Sequence, residues 1–146
     1  MSKTKSINLS FVGYYIQQEV VPKSAGIYLV YIGTYNKDTD RVTLRNLIYI
    51  GEAENVNERL NKPHEKQKDW EKYLSEGEIL IFSVAEITSP DRERAECALI
   101  FHHKPDENDE CKDSFPYPET IVESSGACMH ISSSIAVKTY IKSDVK

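Results

Sequence analysis

The sequence has few of the residues that build a disulfide scaffold or a membrane protein. Its 146 residues include three cysteines, an odd number at wide spacings that does not form a disulfide framework. No run approaches the roughly 20 apolar residues that a membrane-spanning helix needs. The first residues lack the apolar core of a secretory signal. We therefore expect a cytoplasmic protein without membrane segments, in which Cys97 and Cys128 are reduced thiols.

Positive charge is also scarce, because 18 Lys and Arg stand against 23 Asp and Glu, for a net charge of −5. This balance is the opposite of that of a generic nucleic-acid binder. One basic stretch runs from Arg59 to Lys72, and acidic residues are interleaved with it. A solvated face is the simplest interpretation. If a polyanion binds locally, we expect salt-sensitive contacts at Lys62, Lys66 and Lys68.

The composition is that of an ordinary globular protein, with 40% hydrophobic and 28% charged residues, and the length fits one domain. β-Branched and aromatic runs alternate with segments of helical period. These runs predict an α+β domain with a central three-stranded antiparallel sheet at about residues 26–34, 43–51 and 78–87. Flanking helices are predicted at about 55–75, capped by Asn55 and interrupted at Pro63, and at about 90–103. An extra β element is predicted at the C-terminal end.

Two tripeptides and their spacing carry a more specific pattern. Gly26-Ile27-Tyr28 opens the first predicted strand, and Tyr49-Ile50-Gly51 closes the second. An Asn and then Arg59-Leu60 follow, and a helical Glu96 and Asn108 come later. Together these features resemble the GIY-YIG nuclease family over roughly residues 22–108. On this basis we divide the chain into an N-terminal arm (1–21), a nuclease-like core (22–108) and a C-terminal extension (109–146) packed on the same domain.

The resemblance implies a role for each matching residue. Phosphodiester hydrolysis needs an activated water, a counter-charge and a stabilised leaving oxygen. By resemblance, Tyr49 is the general base, and Tyr28 positions the water or shares the proton. Arg59 stabilises the phosphate, and Glu96 holds one Mg²⁺ or Mn²⁺ ion. A tyrosine with a pKa near 10 is a poor base, so a nearby cation is required. His64 near the leaving group and Asn108 as a supporting hydrogen-bonding residue complete the set.

These residue types also have simpler interpretations when each is taken alone. Tyrosines in apolar strands are usually core aromatics, and charged residues on helices usually face solvent. The pattern as a whole favours a metal-dependent endonuclease that cuts DNA, with RNA left open as a substrate. Because the chain is acidic, we expect recognition to depend on the structure of the DNA, on a partner chain or on contacts from the C-terminal extension. The alternative hypothesis is a catalytically silent module that keeps this fold and binds nucleic acid or another partner.

Overall fold

The computed structural model describes residues 3–142. Six strands within this range form one sheet. Its spatial order is β3-β2-β4-β1-β5-β6. Neighbouring strands are antiparallel except for β1 and β5, which are parallel. The strands are β1 (Lys5–Tyr15), β2 (Gly26–Asn36), β3 (Arg41–Ala53), β4 (Ile79–Glu86), β5 (Thr120–Gly126) and β6 (Ser134–Val137).

Three α-helices accompany the sheet: α1 (Val56–Asn61), α2 (Gln67–Glu71) and α3 (Asp91–His103). The helical segment predicted over residues 55–75, with its interruption at Pro63, is present as two short helices. The residues between them include Pro63, which lacks the N–H that a continuing helix needs. The start of α1 is as predicted, since the Asn55 side chain accepts a hydrogen bond from the Glu58 N–H at 3.0 Å. Within the described part of the chain, no helix is long and apolar enough to cross a membrane.

Side chains of β2 are buried on both faces of the sheet, as the continuous apolar run predicts. Ile27, Leu29 and Tyr31 belong to the core cluster that also contains residues of α3. Tyr28 and the alternate residues after it belong to the cluster formed with α1 and α2. Because successive side chains of a strand point to opposite faces, this alternation places Tyr28 on the side of α1 and α2.

The three predicted strands are present, but they form one half of the observed sheet, not a central three-stranded sheet. The hairpin and third strand form β3-β2-β4, and three further strands extend the sheet beyond β4. One of these is β1, which pairs with β4 on one side and with β5 on the other. The parallel pairing joins Lys5 to Thr120, residues far apart in sequence. Local patterns do not reveal such a pairing, because each strand is completed only by a distant one.

The cysteine prediction was wrong for Cys97. A disulfide joins Cys97 on α3 to Cys111, with 5.4 Å between their Cα atoms. The segment after α3 folds back against the helix and brings the two thiols together, although their spacing matches no standard framework. Cys128 is a free, partly exposed cysteine. The disulfide therefore ties the segment after α3 to the helix that carries Glu96.

Candidate active site

Tyr28 and Tyr49 lie on one face of the β2–β3 hairpin. Tyr28 pairs with Gly51 and Tyr49 pairs with Val30, so the two tyrosines are diagonal neighbours. Their ring centroids are 6.2 Å apart. A Cβ added at Gly51 would lie 2.2 Å from Cζ of Tyr28, so only a glycine lets the Tyr28 ring lie across β3. This close approach explains why the second tripeptide ends in glycine.

The two tyrosines line a cavity of about 420 Å³. Five residues predicted as catalytic or metal-binding line it: Tyr28, Tyr49, Arg59, Glu96 and Asn108. Lys66, one of the predicted nucleic-acid contacts, lines it as well. The structure thus brings together groups from β2, β3, α1, α3 and the segment after α3. The other lining residues are Glu52, Glu65, Ile100, Asp109 and Glu110.

His64 lies behind Tyr28, with a fully buried side chain. Its Nε2 is 2.9 Å from the Tyr28 hydroxyl, and its Nδ1 accepts a hydrogen bond from the Lys66 N–H at 3.0 Å. A neutral imidazole that accepts at Nδ1 carries its proton on Nε2 and donates it to the Tyr28 oxygen. Burial and the nearby Arg59 guanidinium lower the pKa of His64 to about 4, which keeps the ring neutral. His64 therefore fixes the orientation of the Tyr28 hydroxyl.

Both tyrosines in the cavity are held in the neutral form. Burial and the adjacent Tyr49 raise the pKa of Tyr28 well above its ordinary value of 10.0. Burial and the Glu96 carboxylate also raise the pKa of Tyr49, and the Arg59 guanidinium opposes that rise. The Tyr49 ring packs 5.2 Å from the ring of Trp70, measured between centroids. Arg59 alone does not provide enough positive charge to make either phenol a base.

Glu96 presents a carboxylate whose environment favours a positive partner. Its pKa is raised to about 8, first by burial and then by the neighbouring carboxylates Glu52, Glu110 and Glu93. Between residues 3 and 142 no hydrogen-bond or ion-pair partner of this carboxylate is found. The same residues contain no group of three or more His, Cys, Asp or Glu side chains that could hold a metal ion. One carboxylate of this kind fits a largely hydrated Mg²⁺ or Mn²⁺ ion.

Both positive side chains that line the cavity are paired with carboxylates. Arg59 Nη2 lies 2.7 Å from a Glu65 oxygen, and Lys66 Nζ lies 2.8 Å from an Asp109 oxygen. The other two predicted lysines are not among the lining residues. Lys62 forms an exposed pair with Glu58 at 2.9 Å, and Lys68 is exposed on α2.

Asn108 attaches the segment after α3 to the outer edge of β3. Its Oδ1 accepts from the Ile50 N–H at 2.9 Å, and its Nδ2 donates to the Ile50 carbonyl at 2.8 Å. The Glu107 N–H also donates to the Ile48 carbonyl at 3.0 Å. These bonds complete part of the edge of β3 next to Tyr49. They also bring the next two acidic residues to the rim of the cavity.

Sequence reasoning missed most of the acidic lining. Glu52 follows the second tripeptide directly, and its carboxylate lies 2.6 Å from Nε of Arg92, whose side chain is 6% exposed. Asp109 and Glu110 lie in the acidic run at residues 106–110, and a run of this kind is usually a solvated loop. Their position directly after Asn108 was a usable signal, because that residue was already assigned to the site. Glu65 gave no signal of its own.

Comparisons with known proteins find a distant similarity to a solved structure. No protein-family model matches the sequence, and no curated protein matches it. The fold is similar to the crystal structure of the GIY-YIG N-terminal endonuclease domain of UvrC from Thermotoga maritima, a point mutant bound to the catalytic divalent cation. The identity is 20%, and the match covers 64% of this chain and 91% of that chain with a TM-score of 0.42.

Proposed function

We propose that this chain is a metal-dependent endonuclease that hydrolyses phosphodiester bonds in DNA. One observation carries the proposal: two phenols, a guanidinium and a carboxylate that are distant in sequence line the same cavity. They belong to Tyr28, Tyr49, Arg59 and Glu96. Such a set offers a base, a counter-charge for phosphate and a ligand for a cation, the requirements of phosphodiester hydrolysis.

Glu96 is the proposed ligand of one divalent cation, Mg²⁺ or Mn²⁺, with waters and phosphate oxygens as the remaining ligands. Burial is the main cause of the raised pKa of its carboxyl group and the neighbouring carboxylates add to it, and a cation would relieve their repulsion. When bound, the cation supplies positive charge that lowers the pKa of a nearby phenol and stabilises the charge on the phosphate.

The chain's own residues then perform the remaining steps. As a phenolate, Tyr49 would take a proton from the attacking water as the new oxygen–phosphorus bond forms; the bond to the leaving oxygen would break, and that oxygen would take a proton from solvent. Arg59 binds a non-bridging phosphate oxygen with its planar fork of donors. The Tyr28 oxygen accepts from His64, so its own O–H can donate to the water and orient it. Asn108 holds the β3 backbone in place beside Tyr49.

Cleavage of supercoiled plasmid in Mg²⁺ or Mn²⁺ tests the proposal. The wild type should produce nicked and linear products, and Glu96→Gln should reduce the rate by about 100-fold or more. The same variant should lose Mn²⁺ binding measured by calorimetry. Glu86→Gln, which neutralises an exposed carboxylate at the end of β4, is the matched control and should behave as the wild type. Cleavage that persists unchanged in Glu96→Gln contradicts the metal role.

The same assay distinguishes the alternatives. If the wild type binds DNA but never cuts it in any divalent cation, the catalytically silent module becomes the better description. A parallel reaction with RNA decides between the two nucleic acids as substrates. We further propose that the exposed Lys62 and Lys68 contact the nucleic acid outside the cavity, that a partner chain supplies DNA recognition, and that the protein acts in the cytoplasm.

A further inference from the structure

The charge of the cavity is unfavourable for a phosphate chain, which is unexpected for a nuclease site. Seven side chains of acidic or basic residues line it, and five of them are acidic. The two basic ones, Arg59 and Lys66, are the groups able to bind phosphate, and each already has a carboxylate at 2.7 or 2.8 Å. A phosphate that enters the cavity therefore meets two basic side chains that are already paired with carboxylates.

The two pairing carboxylates lie on the solvent side of their cations. The side chains of Glu65 and Asp109 are 69% and 80% exposed, whereas those of Arg59 and Lys66 are 34% and 21% exposed. Exposed ion pairs of this kind are weak and break readily. Each carboxylate can thus swing into water while its cation stays at the cavity wall.

Both carboxylates stay ionised under ordinary conditions. The hydrogen bond from Arg59 lowers the pKa of Glu65 to about 2. The hydrogen bond from Lys66 likewise lowers the pKa of Asp109 below its ordinary value. An ionised carboxylate presents two oxygens to a cation much as a phosphodiester does, so the two anions compete for the same donors.

We infer that Glu65 and Asp109 compete with substrate phosphates for Arg59 and Lys66, and so set the affinity of the cavity for nucleic acid. The inference rests on the proposed function, because it takes a phosphodiester chain as the ligand. A substrate must displace both carboxylates before it reaches the two cations. Removing either carboxylate should consequently strengthen binding.

The test is binding of a short labelled DNA duplex, followed by fluorescence anisotropy in EDTA. Glu65→Gln and Asp109→Asn should each bind about three-fold to five-fold more tightly than the wild type, and the double variant about ten-fold more tightly. Asp69→Asn is the matched control, since Asp69 pairs with Lys72 at 3.5 Å and does not line the cavity. It removes the same charge and should change binding less than two-fold.

A second comparison separates competition from a general charge effect. In an Arg59→Ala background, Glu65→Gln should increase DNA affinity no more than Asp69→Asn does, because the guanidinium for which Glu65 and phosphate compete has been removed. Weaker binding by Glu65→Gln would mean that Glu65 positions Arg59, and would overturn the inference. Gains equal to that of the control, or no measurable binding by any variant, would overturn it too. Because no cleavage is measured, a protein that binds as expected but never cuts refutes the nuclease proposal alone.

Discussion

Replacing His64 with glutamine should change how stability depends on pH. The folded protein holds the pKa of His64 at about 4, because the ring is buried and Arg59 is near, whereas the ordinary value is 6.5. Between these values the unfolded chain binds more protons than the folded one. The contribution of His64 to the free energy of unfolding is therefore lost as pH falls from 6.5 towards 4.

The size of the effect follows from the two pKa values. At pH 5 the unfolded histidine is nearly all protonated and the folded one nearly all neutral, which costs about 2 kcal/mol relative to pH 7. The glutamine variant has no such titration and keeps an N–H near the position of Nε2. It loses the acceptor for the Lys66 N–H and the ring contact with Trp70 at 4.5 Å, a loss of about 1–2 kcal/mol at pH 7.

Urea unfolding at pH 7 and pH 5 in EDTA, followed by circular dichroism, measures this difference. We expect the wild type to be the more stable protein at pH 7 and the two to be about equal at pH 5. Groups such as Glu96 titrate in both proteins, so they largely cancel in the comparison. His130→Gln, which removes an exposed imidazole, is the control and should follow the wild type. A stability difference that is the same at both pH values would refute the assignment of a buried, neutral His64.

Three further predictions concern the surroundings of the site. Replacing Asn108 with leucine should lower the free energy of unfolding by about 2–3 kcal/mol, because two buried backbone groups of β3 lose their partners; a change below 0.5 kcal/mol in urea unfolding would contradict this account. The Cys97–Cys111 disulfide joins residues 14 apart in sequence, and its reduction should lower the free energy of unfolding by about 3 kcal/mol. The Cys111→Ser variant should then be insensitive to reductant, and an equal response of variant and wild type would argue against the bond. Gly51→Ala should cost about 1–3 kcal/mol and reduce plasmid cleavage, since its Cβ would overlap the Tyr28 ring; full activity would show that the ring moves aside without effect.

The sequence predicted best those features that depend on neighbours along the chain. The β2–β3 hairpin, the burial of β2 on both faces and the Asn55 cap all follow from local spacing, and the structure contains them. The diagonal placement of Tyr28 and Tyr49 also follows from strand geometry once the two strands pair.

Features that depend on distant segments were not predictable in the same way. The pairing of β1 with β5 and the Cys97–Cys111 bond arise only when the last third of the chain folds back on the rest. The same holds for the carboxylates at the cavity, because Asp109 reaches Lys66 through the fold and not through spacing. A charged run is solvated in most proteins, and only the position of Asn108 within this run indicated that its carboxylates lie near the site.

The position of β1 between β4 and β5 has a consequence for how the molecule is assembled. Its parallel partner begins at Thr120, about 115 residues after Lys5, so the contact closes a very long loop and belongs among the slow steps of folding. During synthesis, β1 can pair with β4 soon after residue 86 leaves the ribosome. The backbone N–H and C=O groups on the other edge of β1 stay without partners until β5, which begins at Thr120, has also left the ribosome. A nascent chain therefore carries an open strand edge for some time, and this is the stage at which association with other chains is most favoured.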